Sequence, residues 1–284
     1  MLLDPLTKSV RRTIAAEVSS FFNDRTRGER PVERRTDGLF GPNSIAWQVN
    51  GDVTSMMVGG VSALLLQMLH PAVLGGVWDH SSFRGDMHGR LRRTARFIAV
   101  TTFGSRDEAE GAIAKVRDIH HHIRGTLPDG TTYEADDADL LDWVHVTGAK
   151  SFLDGWIRYA APRMPMGDQD RYFAEMAGVA EALGAKRPPR TRIEAENLVA
   201  ETRRALRSDH RTREVARLIL DQPAANPLAE PLQRLIMKAG VDLLPDWARH
   251  MHALQTPRLS LPLVRTGTYG IARCLLYTSP SPRD

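Results

Sequence analysis

The chain has 284 residues, of which 42% are hydrophobic and 25% are charged, and this balance excludes an intrinsically disordered protein. The net charge of +4 at pH 7 is spread over interleaved acidic and basic residues, as in 201–217, so solvated helix faces are favoured and nucleic acid is not an expected partner. A single cysteine, Cys274, excludes an intrachain disulfide.

The N-terminal part, residues 1–39, is predicted to contain an amphipathic helix over 5–22 followed by an Arg-rich loop. Its start lacks the apolar core of about 7–15 residues and the cleavage site that are typical of a signal peptide. We therefore expect a cytoplasmic protein whose main domain spans residues 40–255.

The most apolar stretch, residues 53–69, is apolar on all sides, which indicates a helix enclosed by other helices. Gly59 and Gly60 lie inside it, where a glycine pair indicates close helix packing or the approach of a cofactor. The stretch is shorter than the roughly 18–20 apolar residues that span a membrane, so no transmembrane segment is predicted. Pro71 interrupts the helix, and a short helix over 72–79 follows.

The rest of the chain is predicted as helices joined by short loops. No alternating run of β-branched residues suggests a sheet, although the turn residues of 128–133 suggest a small hairpin. Ser105 and Glu108 predict a capping box. The fold class is therefore all-α, a single multi-helix domain. The remaining helices are predicted over 90–103, 106–124, 137–160, 168–184, 191–206, 210–221, 228–241 and 245–254.

Ten histidines raise the question of a metal or haem ligand, and helical position separates them. In the helix 106–124, His120 follows Ile113 by seven residues and Val116 by four, so it lies on the buried stripe. Arg124 is expected on the same face. A buried imidazole stays neutral and can donate its lone pair to iron, and an arginine can pair with a haem propionate. The pattern also fits a core histidine bonded through both ring nitrogens.

Other histidines compete for the same role. His145 shares an apolar face with Leu141 and rivals His120 on periodicity alone. His70, just before a proline, is either a second ligand or a cap on free helix carbonyls. His80 and His88 lie in a predicted loop that could line an entrance. The others are expected to face solvent, namely His121, His122, His210, His250 and His252.

The predicted helix 90–103 carries polar groups on one face. Arg90, Thr94, Phe97 and Thr101 fall within a narrow arc, so a guanidinium and two hydroxyls lie beside an aromatic ring. Such a face could donate hydrogen bonds to bound dioxygen, and the alternative is a surface arginine with ordinary packing threonines. The chain contains no dinucleotide-binding or phosphate-binding glycine loop, no HExxH motif and no GxSxG motif.

The order of several short motifs resembles one known family over roughly residues 40–255. The family is that of bacterial rubber oxygenase (the latex-clearing protein) and the mycophenolic-acid-pathway oxygenase. The resemblance implies an all-α, globin-like core that holds haem b iron and takes O₂ as co-substrate. The motifs are QMLHPAV (67–73), DHSSFRGD (79–86), GRLRRT (89–94), FG (103–104), IHHHIRG (119–125), PDGTTYEADD (128–137) and LLDWVHVT (140–147).

The resemblance also implies roles for individual residues. The family's proximal histidine is followed four residues later by an arginine, and His120 and Arg124 match that pair. Rubber-cleaving members carry an arginine and then adjacent lysine and threonine on the distal side. Arg90, Arg93 and Thr94 have this spacing, with Arg93 in place of the lysine, so rubber cleavage itself does not carry over. The expected catalytic set is Arg90, Arg93 and Thr94, and the expected cofactor-binding set is His120 as metal ligand with Arg124, His70 and His145.

Three functions remain open at this stage. The leading hypothesis is a haem b-dependent oxygenase acting with O₂ on a hydrophobic small molecule that contains an alkene, isoprenoids included. The second is a non-catalytic haem-binding or gas-sensing protein, and the third is a helical interaction protein without a cofactor. The sequence leaves the substrate and the oligomeric state open.

The C-terminal residues form two segments. Residues 256–273 are expected to be a truncated C-terminal segment, and residues 274–284 (CLLYTSPSPRD) resemble the translation of a sequencing-library adaptor. If so, Cys274 is not native, and thiolate catalysis and cysteine-ligated haem are excluded.

Overall fold

The computed structural model describes residues 30–224, 227–254, 265, 266 and 268. The predicted helix over 5–22 and the segment 274–284 lie outside the described residues, as does most of 256–273.

Helices dominate the described residues, which confirms the all-α prediction. They are α1 (Ile45–Gly51), α2 (Val53–Gln67), α3 (Pro71–His80), α4 (Met87–Phe103), α5 (Arg106–His121), α6 (Ala138–Tyr159), α7 (Met166–Leu183), α8 (Arg192–Thr202), α9 (His210–Leu220), α10 (Glu230–Leu243) and α11 (Asp246–Met251). A short 3₁₀ helix, Pro227–Ala229, precedes α10. Two strands, β1 (Arg124–Thr126) and β2 (Thr132–Glu134), pair antiparallel between α5 and α6 with Gly125 opposite Tyr133.

Polar caps fix where several helices begin. The Asp52 carboxylate accepts a hydrogen bond from the backbone N–H of Ser55 at the start of α2, and Asp137 caps α6 in the same way. The predicted capping box of Ser105 and Glu108 is present at the start of α5. Helix α1 was not predicted from the sequence, because its seven residues are too few to show a helical period.

The core is built around α2, which lies against α6 and α10. Val58, Leu65 and Leu69 are completely buried. A Cβ atom on Gly59 would lie 2.7 Å from the backbone oxygen of Ser151 on α6, so this glycine lets the two backbones approach closely. The prediction of an enclosed helix over 53–69 is thereby confirmed.

None of the described helices alone is long and apolar enough to cross a bilayer. Among them, only α1 and α2 together reach the required length and apolar character, and the angle between these two helices is 85°.

The hairpin between α5 and α6 is anchored on α3. The Tyr133 hydroxyl donates a 2.6 Å hydrogen bond to the Asp79 carboxylate, and its ring packs against Gly75. Burial and this hydrogen bond raise the pKa of Tyr133 well above its usual range. The small hairpin predicted near 128–133 is confirmed, with Gly130 in the left-handed region at φ 89°.

Candidate functional site

A cavity of about 280 Å³ that is partly open to the surface lies among the helices, with its walls formed mainly by α2, α4, α6, α7 and α10. Its lining is predominantly apolar, and none of the described residues that line it is an aspartate, glutamate, lysine or arginine. Such a cavity is typical of a site for a hydrophobic ligand or cofactor. The apolar lining includes Met56, Leu64, Leu91, Ile98, Val144, Phe152, Val179 and Met237.

Two glycines keep part of the cavity wall open. A Cβ atom on Gly60 of α2 would find its nearest neighbour 3.9 Å away, and one on Gly148 of α6 would find it at 3.8 Å. Neither glycine is therefore required by helix packing, unlike Gly59, and their missing side chains leave room inside the cavity. Of the glycine pair seen in the sequence, Gly59 serves packing and Gly60 borders the cavity.

His120 lines the cavity from the last turn of α5. Its Nδ1 atom is buried and has no hydrogen-bond partner among the described residues. Burial lowers the pKa of His120 below its usual value, against a smaller opposing effect of Asp136. The ring is therefore neutral at pH 7, the form that can donate a lone pair to iron.

His145 lines the same cavity from the middle of α6. Its Nε2 atom is also buried and finds no hydrogen-bond partner in the described part of the chain. Burial lowers the pKa of His145 to about 4, so this imidazole too is neutral at pH 7. The helical spacing of both histidines predicted that they face inward, and the structure agrees.

His120 and His145 are candidate ligands for the metal of a cofactor in this cavity. No group of three or more His, Cys, Asp or Glu residues that could hold a bare metal ion is found among the described residues. A haem brings four nitrogen ligands of its own and needs only one or two from the protein. One neutral imidazole with an unused nitrogen in an apolar cavity fits that requirement, and the chain offers two.

His70 occupies a different environment. It is the N-cap residue of α3, but its side chain makes no capping hydrogen bond. Its Nδ1 is buried without a described partner, and its ring centroid lies 6.5 Å from that of Trp143. Because His70 is not among the residues that line the cavity, neither of its two expected roles is seen in the structure.

The three residues expected to be catalytic, Arg90, Arg93 and Thr94, lie in different surroundings. Thr94 lines the cavity, and its hydroxyl donates to the backbone oxygen of Arg90 at 3.2 Å. The guanidinium of the half-buried Arg90 donates to Ser81 Oγ at 2.9 Å, and desolvation lowers the pKa of Arg90. Arg93 is exposed and pairs with Asp86 at 3.3 Å. Of this set, only Thr94 reaches the cavity wall.

Arg124 does not share the helical face of His120, contrary to the expectation from the sequence. Helix α5 ends at His121, three residues earlier than predicted, and Arg124 opens strand β1. Its exposed guanidinium donates to the backbone oxygen of His121 at 3.0 Å and lies 3.9 Å from the Glu134 carboxylate.

The remaining histidines are distributed as follows. His88 lines the cavity from the first turn of α4, with Nε2 2.9 Å from the backbone oxygen of Pro223, whereas His80 ends α3 and contacts the Arg124 oxygen at 3.1 Å. His252 was wrongly expected to face solvent. It is 4% exposed, with Nε2 2.8 Å from the Leu65 oxygen, because the end of α11 packs on α2. The solvent-facing prediction is confirmed for His121, His122, His210 and His250.

Sequence reasoning missed three polar residues of the cavity wall, Gln67, Gln222 and Gln233. Uncharged amides are common on helix surfaces and in loops, so nothing in their spacing distinguished them. Only the packing of α2, α10 and the loop after α9 brings them to the cavity.

Comparison with known proteins gives one match. Residues 47–272 match the family model described as ER-bound oxygenase mpaB/B′/rubber oxygenase, catalytic domain. No curated protein and no solved structure matches the chain.

Proposed function

The chain belongs to the mpaB/rubber oxygenase catalytic-domain family, which supports an oxygenase, and from this premise we propose a haem b-dependent enzyme. It would use O₂ to cleave a carbon–carbon double bond in a hydrophobic molecule, and isoprenoids are the first candidates. The match covers most of the chain, and the whole described cavity lies within it.

The observation that carries this proposal is the position of His120 on the wall of an apolar cavity. Its ring also has a buried nitrogen, Nδ1, without a hydrogen-bond partner among the described residues, and such an atom costs about 1–3 kcal/mol. We therefore propose His120 as the residue that would hold the haem iron, and His145 as the alternative ligand on the same cavity.

Haem, when bound, would supply the activation of O₂, and the chain's own residues would supply ligation, polarity and shelter from water. The apolar walls exclude bulk water from the bound alkene. Thr94 lies at the wall, and its hydroxyl, which donates to the Arg90 oxygen, could turn to donate a hydrogen bond into the cavity. Arg90, fixed on Ser81, would act as a positioning residue for Thr94.

Three further residues of the expected set do not line the cavity. Arg93 would have to leave Asp86 to reach the cavity, and Arg124 would have to leave Glu134 to reach a propionate. His70 does not reach the cavity wall. Their roles in cofactor binding or catalysis are predictions from the resemblance.

Ligation is tested by the absorption spectrum of protein produced with a haem supply. We expect a Soret band in the wild type and in His122→Ala, an exposed-histidine control from the end of the same helix. His120→Ala should lose or shift the band while its helical circular dichroism stays unchanged. A wild type without a Soret band, or an unchanged band in His120→Ala, would contradict the assignment. Loss in His145→Ala alone would transfer the ligand role to His145.

Turnover is tested separately by O₂ consumption. With the haem-loaded protein we expect O₂ uptake with farnesol and none with its fully saturated analogue, which has the same length but no double bond. A haem spectrum without uptake would favour the haem-binding or gas-sensing alternative. A colourless protein would favour the interaction protein without a cofactor.

A further inference from the structure

We infer that the substrate is an uncharged molecule with a hydroxyl or carbonyl group at one end, and that this end meets Gln222 and Gln233 on the cavity wall. The inference rests on the proposed function, because it names the substrate class of the same cavity. It is carried by the charge of the lining and by the distribution of unused hydrogen-bonding groups.

The first step is the absence of formal charge. None of the described lining residues is an aspartate, glutamate, lysine or arginine, and of the three histidines on the wall, His120 and His145 are neutral at pH 7. Moving a carboxylate or phosphate from water into such a space is prohibitive without a countercharge. Two arginines on the same helix as Thr94 are engaged elsewhere, Arg90 with Ser81 and Arg93 with Asp86.

The second step is a local concentration of polar side chains. The ring of His88 contacts the backbone oxygen of Pro223, and the Gln233 amide donates to the backbone oxygen of Gln222. These two contacts bring together the start of α4, the loop after α9 and the first half of α10. His88, Gln222 and Gln233 all line the cavity, so its wall is polar at this place.

The third step is hydrogen-bonding capacity that is still free. Gln67, Thr94 and Thr101 also line the cavity, but each donates to a backbone oxygen. The side chain of Gln222 makes no hydrogen bond with any described residue, and Gln233 uses its NH₂ group but not its oxygen. An amide both donates and accepts, so this pair can satisfy a hydroxyl or a carbonyl that enters the cavity.

The substrate class follows from these three steps. An apolar tail would fill the space between α2, α6 and α7, and a single neutral oxygen group would lie against Gln222 and Gln233. A bare hydrocarbon would leave the two amides unsatisfied, and a charged head would lack a countercharge.

The test measures binding to the haem-loaded protein by equilibrium dialysis, with probes that share one tail. The probes are farnesol, farnesoic acid, farnesyl diphosphate and the hydrocarbon that lacks the head group. We expect farnesol to bind at least about tenfold more tightly than either charged probe. In the double variant Gln222→Leu, Gln233→Leu, farnesol binding should weaken about tenfold while hydrocarbon binding does not weaken.

The matched control is Gln48→Leu, which replaces an exposed glutamine on α1 that does not line the cavity. Farnesol should bind this variant as it binds the wild type. Equal affinity for farnesol and the hydrocarbon, tighter binding of the diphosphate, or an equal loss in Gln48→Leu would overturn the inference. Head-group discrimination without O₂ uptake would reject only the proposed function, whereas O₂ uptake without discrimination would reject only this inference.

Discussion

His120 and His145 are half-buried side chains that line one apolar cavity, and each has a buried ring nitrogen without a described partner. Burial makes protonation of either ring unfavourable, so both contribute to the dependence of stability on pH. The pH dependence can be worked out for His145, because burial lowers its pKa to about 4 from an unfolded value near 6.5.

Acid should therefore destabilise the protein through His145. Between pH 6.5 and 4 the unfolded chain binds a proton there and the folded chain does not, so the free energy of unfolding falls as the pH falls, by up to about 3 kcal/mol. Urea unfolding without added haem at pH 7, 5.5 and 4 should show a smaller loss in His145→Gln than in the wild type. His122→Gln, at an exposed position, should keep the wild-type slope. Identical slopes in all three proteins would contradict this.

The burial of a single residue was predictable from the sequence where it depends only on the helical period of its own segment. His120 and His145 lie on apolar stripes of their own helices, and both face the cavity. His252 was not predictable, because its burial comes from the contact of α11 with α2, far away in the sequence. Arg124 was misplaced because the helix stops before it, and no glycine or proline marks that stop.

At the scale of elements, the contact between α2 and α6 depends on the absence of two side chains. A Cβ atom on Gly59 would collide with the backbone of Ser151 and Phe152. A Cβ atom on Gly155 would lie 2.9 Å from the backbone oxygen of Ser55. Because the obstructing atoms belong to the backbone, neither helix can yield without moving as a whole.

Gly59→Ala should therefore lower the free energy of unfolding by about 1–3 kcal/mol, since overpacking forces backbone shifts. Gly60→Ala is the matched control on the same helix. Its new Cβ would meet no atom closer than 3.9 Å, and alanine favours a helix over glycine by up to about 1 kcal/mol. Urea denaturation should show a loss in the first variant and no loss in the second. Equal changes in the free energy of unfolding for the two variants would contradict the close contact of α2 with α6 at Gly59.

Most elements were predictable from caps and apolar spacing. The capping box at Ser105 and the turn before β2 gave clear local signals, and the corresponding elements are present. Helix α1 lacked such a signal, because seven residues are too short for a period. The end of α5 was placed too late, since its apolar spacing continues to Ile123 beyond the last helical residue.

For the whole molecule, the class of fold followed from the absence of alternating strands, but the cavity did not. Its wall draws residues from α2, α4, α6, α7 and α10, which are distant along the chain. Non-local packing of this kind leaves no periodic trace in any one segment. The helix faces were predictable, whereas the volume that they enclose was not.

A ligand that binds only the folded state stabilises the whole domain. At a free concentration about a hundredfold above its Kd, haem should raise the free energy of unfolding by about 2.7 kcal/mol. For a chain of this size we expect a rise in Tm of about 5–10 °C by calorimetry. His120→Ala should show no rise, and a rise that survives this substitution would place the cofactor on another ligand.

The hairpin that Tyr133 ties to α3 leaves the helix of His120 and enters the helix of His145. The two histidines therefore lie on the helices that precede and follow this hairpin. Because the hairpin joins the end of one helix to the start of the other, a displacement of the hairpin would shift the supports of both histidines together.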